Sequence, residues 1–312
     1  MKITVIEPLG VDNSLLENLA HESAPEAEFV WYDARTTDTA ELIKRGADAD
    51  IIVLANQPIP AEVIAGWHQV KMIAVAFTGV DHIPLETCRC RGITVCNCAG
   101  YSTAAVADLV FGMLISLYRN LEPCGTAVRT GGTKDGLIGC ELEGKKFGVV
   151  GAGAIGSRVI RIAQAFGCEV YAYSRTQKDI TGVSWTDLDT LLSCCDIVSL
   201  HVPLTEETRG RINAEKLALM KPSAVLINTA RGPVVDSAAL SAALNSEQIA
   251  GACIDVFDIE PPLSPDTPLL QAKNLIAAPH IGFATREALV KRAHLVFENI
   301  RAFLAGSPKN CV

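Results

Sequence analysis

The stretch KKFGVVGAGAIGSRVIRIAQAFG, residues 145–167, restricts the possible folds more than any other part of this chain. An apolar run, Phe147 to Val150, breaks at Gly151, Gly153 and Gly156 and passes directly into a segment whose apolar residues recur at helical spacing. The order is strand, tight turn, helix. Gly151 suits the turn, Gly153 a close approach of backbone to a ligand, and Gly156 close packing of helix on strand. The amides of the first helical turn, around Ala154 and Ile155, then face outward at the positive end of the helix, where a dinucleotide's pyrophosphate would bind. Glycines that merely punctuate a turn would not need both flanks.

The pattern around this motif repeats. Short apolar runs alternate with helical segments, first ITVI, FVWY, DIIVL, MIAVA and ITVC, then KFGVV, EVYAY, DIVSL, AVLIN, GACID and NLIAA. A long helical stretch, Ser102 to Leu121, separates the two series. Two successive series of βα units predict an α/β chain with two doubly wound, Rossmann-like parallel-sheet domains, the boundary falling near residue 100. The 312 residues, 49% of them hydrophobic, suffice for two cores. From about Thr285 to Leu304 the spacing of Ala288, Leu289, Ala293, Val296 and Ile300 predicts one amphipathic helix.

Thirty-five acids against 27 bases give a net charge of −8, without a basic stripe, so nucleic acid is not an expected partner. The opening MKITVIEPLG has too few apolar residues for a signal peptide, and Asp108 interrupts the apolar stretch from Val106 to Leu117; no membrane is expected. Eleven scattered cysteines suit a reduced, cytoplasmic protein that uses Cys as a small apolar filler. Cys88, Cys90, Cys96 and Cys98 in CRCRGITVCNC are spaced more tightly than a zinc knuckle, so no metal is expected.

Ligands of an open parallel sheet gather beyond the carboxyl ends of its strands. In the second series that selects His201, Arg231, Asp255, Glu260 and His280. His21, His68 and His294 fall in helical or loop segments, and His82 follows a strand of the first series. Arg231, Glu260 and His280 together could reduce the carbonyl of an oxo acid. A guanidinium grips a carboxylate with two prongs, an imidazole exchanges a proton near neutrality, and a carboxylate orients and charges that imidazole. Each has a plainer reading: Arg231 as a turn cap, Glu260 as a solvated loop acid, His280 as a buried, satisfied ring.

At this point the chain resembles the D-isomer-specific 2-hydroxyacid dehydrogenases. TGVDHIP, GITVCNCAGYSTAAVAD, GAGAIG, LHVPLTEETRGRI, NTARGPVVD, GACIDVFDIEPP and APHIGFATREA follow in that family's order over almost the whole chain. The resemblance implies that Arg231, Glu260 and His280 are catalytic and that Asp255 faces the nicotinamide carboxamide. It also implies that the backbone around Thr78 and Gly79, with Arg231 and His280, holds the substrate in an active-site cleft between the two domains. Its cofactor set is Thr103, Gly151, Gly153, Ala154, Ile155, Gly156, Ser174, Arg175, His201, Pro203, Thr208, Thr229, Ala230, Asp255 and Gly282. Residues 1–99 and 285–312 are then a substrate-binding domain, 100–284 a dinucleotide-binding domain, and the chain a homodimer. PHIGFATREA is most similar to hydroxypyruvate and glyoxylate reductases, which points to a small oxo acid. VLANQPIP lacks the base typical of phosphoglycerate-specific members, which stay open as an alternative together with a non-catalytic, dinucleotide-sensing scaffold of the corepressor kind.

The second strand after the glycines ends in AYSRT. NAD-specific chains place an acid there, whose carboxylate grips the ribose diol and repels a 2′-phosphate. Here Ser174 and Arg175 take its place, with Lys178 nearby, so NADP(H) is expected to be favoured over NAD(H).

Overall fold

The computed structural model describes residues 1–259 and 262–312. The chain divides into two compact units, Met1–Ser102 with Ala284–Val312, and Thr103–Phe283. In the first, β1 (Lys2–Val5), α1 (Asn13–Ser23), β2 (Glu28–Trp31), α2 (Thr39–Gly46), β3 (Ile51–Leu54), α3 (Ala61–Gly66), β4 (Met72–Val75), α4 (Leu85–Cys90) and β5 (Thr94–Cys96) follow one another. Their strands form an all-parallel sheet in the order β2-β1-β3-β4-β5.

The second unit opens with α5 (Thr103–Tyr118) and α6 (Leu121–Arg129). It continues with β6 (Lys146–Val150), α7 (Ala154–Ala165), β7 (Glu169–Tyr173), β8 (Val183–Trp185), α8 (Leu188–Cys194) and β9 (Ile197–Leu200). It ends with α9 (Ala214–Leu219), β10 (Val225–Asn228), α10 (Ser237–Asn245), β11 (Gly251–Ile254) and β12 (Leu275–Ala277). The seven parallel strands run in the order β12-β11-β10-β9-β6-β7-β8, so the winding reverses between β6 and β9. Ligands of such sheets gather at that reversal, beyond the strand ends.

Every residue of β3, β4, β9, β10 and β11 is buried, as expected of parallel strands covered on both faces. One face of the second sheet packs Val149, Phe147 and Ile227 with Val159 and Ile160 of α7 and with Val110 and Leu114 of α5. The other packs Leu200, Leu226 and Ile254 with Leu191, Leu217 and Leu240. Short polar caps start the covering helices: Asp187, Asn213 and Asp236 each accept the backbone N–H three residues on.

The last helix, α11 (Arg286–Leu304), is started by Thr285, whose hydroxyl accepts Ala288 N at 3.1 Å. It belongs to the first unit and packs on α1 and β4. Ala288, Ala293, Val296 and Ile300 are buried, and Leu289 half-buried, along its apolar stripe. Two elements differ from the sequence pattern. The helical stretch ends at Tyr118 and resumes at Leu121 at an angle of 56°, because Asn120 takes a left-handed conformation. The three-residue strand β8 was too short to leave a periodic signal. Among the described residues no single helix is long and apolar enough to cross a membrane.

Candidate active site

The turn after β6 sits at the reversal point of the second sheet. Gly151 has φ 98°, and a Cβ there would lie 2.6 Å from His201 O, the first residue beyond β9. Its amide donates to Tyr173 O at 2.7 Å, while His201 N donates to Val150 O at 2.7 Å. Gly156 is closer still, since a Cβ would stand 1.9 Å from Gly151 O. Gly153 differs from both: it caps α7 with no side chain to accept the helix's first amides, and nothing lies within 4 Å of where its Cβ would be. Gly151 and Gly156 are thus required by the protein's own packing. Gly153 opens onto free space, with the unpaired amides of residues such as Ala154 and Ile155 behind it.

That space is a cavity of about 310 Å³, whose wall includes Gly151, Gly153, Ser174, Arg175, His201, Pro203 and Thr208. An anion fits this cradle: the donors are backbone amides, and the lining carries Arg175, Lys178 and Arg211 against one acid, Glu207. Lys178 Nζ donates to Ser157 Oγ at 3.4 Å, and Arg211 Nη2 to Tyr173 Oη at 2.9 Å. Thr208 Oγ1 donates to Pro203 O at 2.7 Å and closes the loop after β9. His201 Nε2 pairs with Ser199 Oγ at 2.9 Å, and burial pushes the imidazole's pKa down to about 3, although part of the residue remains accessible. It is therefore neutral, adding hydrogen-bonding capacity but no charge.

The ends of β10, β11 and β12 are linked in order by backbone hydrogen bonds. Asp255 N donates to Asn228 O at 3.0 Å, and His280 N to Asp255 O at 2.8 Å. Arg231 and His280 therefore stand at two ends of this ladder, both half-buried, with Asp255 between them. Asn228 shapes the Thr229–Arg231 loop: its Oδ1 accepts Ala230 N at 3.1 Å and its Nδ2 donates to Arg231 O at 2.9 Å. Thr229 Oγ1 is buried with no hydrogen-bond partner among the described residues, an unmet capacity facing this loop. Asp255 is fully buried and accepts Ile281 N on one oxygen and Gly282 N on the other, both at 2.8 Å. It anchors the loop that carries His280.

His280 has φ 55°, a left-handed backbone that costs a non-glycine residue about 1–3 kcal/mol and tends to persist where function requires it. Its ring stands edge-on to Phe283, 5.5 Å between centroids. Glu260 lies outside the described residues. Thr103 begins α5 in the second unit, half-buried. Thr78 and Gly79 belong to the first unit, just after β4. Asn97 Nδ2 holds Thr78 O at 2.8 Å, and Thr78 Oγ1 is a second buried hydroxyl without a partner among the described residues.

Sequence reasoning missed Asn228, Ser199, Asn97 and Arg211. Two of them left readable signals. Asn228 is a polar residue ending an apolar strand just before a turn, where Asn bonds its own backbone, and Ser199 lies two residues from His201 on the same strand face. Asn97 and Arg211 act through partners distant in sequence and left none.

Comparison with known proteins agrees with this architecture. Residues 111–282, more than half of the chain, match the family described as D-isomer specific 2-hydroxyacid dehydrogenase, NAD binding domain. The chain is 39% identical to a glyoxylate reductase of Thermococcus litoralis, over 91% of this chain and 89% of that one. It is 34% identical to a hydroxypyruvate reductase of Blautia hydrogenotrophica, over 100% and 99%. A solved acyclic imino acid reductase, Bsp5, in complex with NADPH and D-Arg, superposes with a TM-score of 0.91 at 30% identity, covering all of both chains. With two parallel sheets, a glycine cradle at the reversal of the second and that breadth of likeness, the chain belongs to the D-isomer-specific 2-hydroxyacid dehydrogenase family.

Proposed function

We propose that the chain reduces a small, unphosphorylated 2-oxo acid of the glyoxylate or hydroxypyruvate type to its D-2-hydroxy acid, with NADPH preferred over NADH. The observation that carries this reading is the ladder of strand ends on which Arg231 and His280 stand, in the same unit as the glycine cradle. When bound, the nicotinamide supplies the hydride. Arg231 fixes the substrate carboxylate with its planar fork and polarises the carbonyl oxygen. His280 delivers the proton to that oxygen, and Glu260 orients and stabilises the charged imidazole. The backbone around Thr78 and Gly79 helps to hold the carboxylate.

The cofactor preference rests on the cavity wall. Ser174 and Arg175 stand where an acid would select NAD, and Lys178 and Arg211 add positive charge to the same cavity. A 2′-phosphate gains charge-assisted bonds there, and no carboxylate repels it at the end of β7. Residues 1–99 with 285–312 act as the substrate-binding part and 100–284 as the dinucleotide-binding part, in a cytoplasmic homodimer. The test is a matrix of kcat/KM for glyoxylate, hydroxypyruvate, pyruvate and 3-phosphohydroxypyruvate with NADPH and NADH. Phosphohydroxypyruvate as best substrate would overturn the substrate reading. NADH equal or better would overturn the cofactor reading, and no turnover of any oxo acid would favour a sensing scaffold.

A further inference from the structure

β5 is an edge strand of the first sheet, with a row of backbone groups open to pairing. The end of the chain uses it. After α11 the backbone turns at Gly306, φ 74°, and runs back antiparallel to β5, so that Cys311 stands directly opposite Cys96. The flanking bonds are Asn97 N to Asn310 O and Val312 N to Val95 O, both 3.0 Å. Neither cysteine exchanges a backbone bond with the other. This is the non-hydrogen-bonded type of antiparallel pair, in which the Cα atoms approach to about 4.5 Å and the side chains lie on one face. A disulfide spans Cα separations of about 4.4–6.8 Å, so no movement of the backbone is needed. The two sulfurs are already 3.8 Å apart.

We infer that Cys96 and Cys311 are a redox-responsive pair, closing to a disulfide when a hydroperoxide reaches the chain end and so fastening the C-terminal residues to β5. The two cysteines divide the work by exposure. Cys311 is exposed and meets the oxidant; Cys96 is buried, and burial pushes its thiol up to about 12, which makes it a poor first nucleophile. Cys311 sulfur attacks the peroxide oxygen, the O–O bond breaks, and an alcohol or water leaves, giving the sulfenic acid. Cys96 sulfur then attacks Cys311 sulfur, the S–O bond breaks, and the departing hydroxide takes the Cys96 proton and leaves as water. Two thiols are oxidised and one hydroperoxide is reduced. A thiol reductant reverses the change, as expected of the transient disulfides found in reducing compartments.

The bond has a route to the loop after β4. Asn310 Nδ2 donates to Asn299 Oδ1, Asn299 Nδ2 to Asn97 O, and Asn97 Nδ2 to Thr78 O, each at 2.8 Å. Fixing Cys311 fixes Asn310, and the relay ends on Thr78. The effect on catalysis rests on the proposed role of Thr78; formation of the bond does not.

The full-length protein, reduced and freed of reductant, is treated with hydrogen peroxide, alkylated after denaturation and mapped by peptide mass. The expected product is a cross-linked pair of peptides containing Cys96 and Cys311, two hydrogens lighter than their sum and separated again by dithiothreitol. The thermal midpoint should rise on oxidation, because the link restricts a long stretch of the unfolded chain. Cys311→Ser should start with wild-type activity, form no cross-link and show no rise. Cys96 still fully alkylatable when Cys311 has gone on to the sulfinic acid would overturn the pair. A cross-link that forms without moving the KM for the oxo acid would overturn the relay to Thr78, while leaving both the pair and the proposed reaction standing.

Discussion

The two sheets each reverse their winding once, β1 against β3 in the first unit and β6 against β9 in the second, and the chain treats these two points in opposite ways. After β1 it places Glu7, fully buried, whose Oε1 accepts Ala55 N at 2.6 Å and Gln57 N at 3.1 Å from the loop after β3. Its Oε2 meets Arg35 Nε at 2.7 Å. After β6 it places glycines, and the start of α7 is left open onto a cavity. At the first reversal the protein's own carboxylate takes the amides of Ala55 and Gln57, beside a cavity of about 340 Å³ that Glu7 also lines; the second keeps the same kind of amide donors for a foreign anion. One topology thus yields a structural joint and a ligand cradle, and side chains at the strand ends decide which.

The contrast is broken most sharply at the chemistry. His280→Ala should lower kcat by about 10²- to 10⁴-fold, the worth of a positioned acid, while the Kd for NADPH stays close to wild type. Arg231→Lys should not recover function, because an ammonium lacks the two-pronged geometry. A His280→Ala protein with wild-type turnover would falsify the assignment. No equivalent loss of rate with retained folding is expected at Glu7, where the damage should appear as instability.

Two glycines of one motif sharpen the contrast further. Gly153→Val adds a side chain where the protein has nothing within 4 Å, at a negative φ of −65°, outside the left-handed region that would demand glycine. The fold should survive and cofactor affinity should fall by about ten- to a hundredfold, or about 1.4–2.8 kcal/mol. Gly156→Ala instead forces a Cβ to 1.9 Å from Gly151 O, so it should cost about 1–3 kcal/mol of stability by overpacking. Fluorescence titration with NADPH and thermal melting, run on both variants, separate the two. If Gly153→Val bound NADPH normally, the open space would not be the cradle.

The cofactor wall gives an effect of similar or smaller size. Ser174→Asp with Arg175→Ala restores an acid at the end of β7 and removes a base, and should shift the NADPH to NADH ratio of kcat/KM by about ten- to a hundredfold, from charge-assisted bonds worth about 1.5–3 kcal/mol. An unchanged ratio would assign selection to Lys178 and Arg211 instead. At the other reversal, Glu7→Ala leaves the amides of Ala55 and Gln57 without their acceptor and should cost about 1–3 kcal/mol in a urea melt. A loss confined to activity there, with the melt unmoved, would erase the distinction between the two points.

How much of this was legible in the sequence follows from the same contrast. The glycine turn, the strand runs and the C-terminal helix are encoded locally, by periodicity and by residues with special backbone freedom. Gly151, Gly156 and the α11 stripe of Ala288, Ala293, Val296 and Ile300 therefore stand where the pattern put them. Glu7 was not legible. It precedes Pro8 in a stretch that reads as an ordinary loop, and its donors come from residues 48 and 50 positions away. Asn97 and Arg211 share that property. His280 was visible as a His beyond a strand, but its left-handed backbone was not, because the strain is imposed by Asp255 gripping His280, Ile281 and Gly282 from another strand.

The smallest expected effect concerns the charge state of the cradle. Where the first unit buries a carboxylate at its reversal, the second sets beside Gly151 an imidazole, His201, that burial keeps neutral by pushing its pKa from 6.5 down to about 3. In the unfolded chain this ring regains its ordinary value, so below pH 6.5 the unfolded state binds a proton that the folded state refuses. The sign follows: the stabilising contribution is fully present above 6.5 and is lost as pH falls toward about 3. One unit below the ordinary value the loss should be on the order of 1 kcal/mol, since a pH unit is worth about 1.4 kcal/mol. His201→Gln keeps a hydrogen-bonding partner for Ser199 and cannot titrate. Urea midpoints of wild type and His201→Gln, taken at pH values from neutrality downward, should therefore run parallel at first and diverge below 6.5, with the variant losing less. Curves that stayed parallel into acid would mean that His201 is charged in the folded protein, and the cradle would then bind its anion with a third kind of help beyond amides and guanidinium groups.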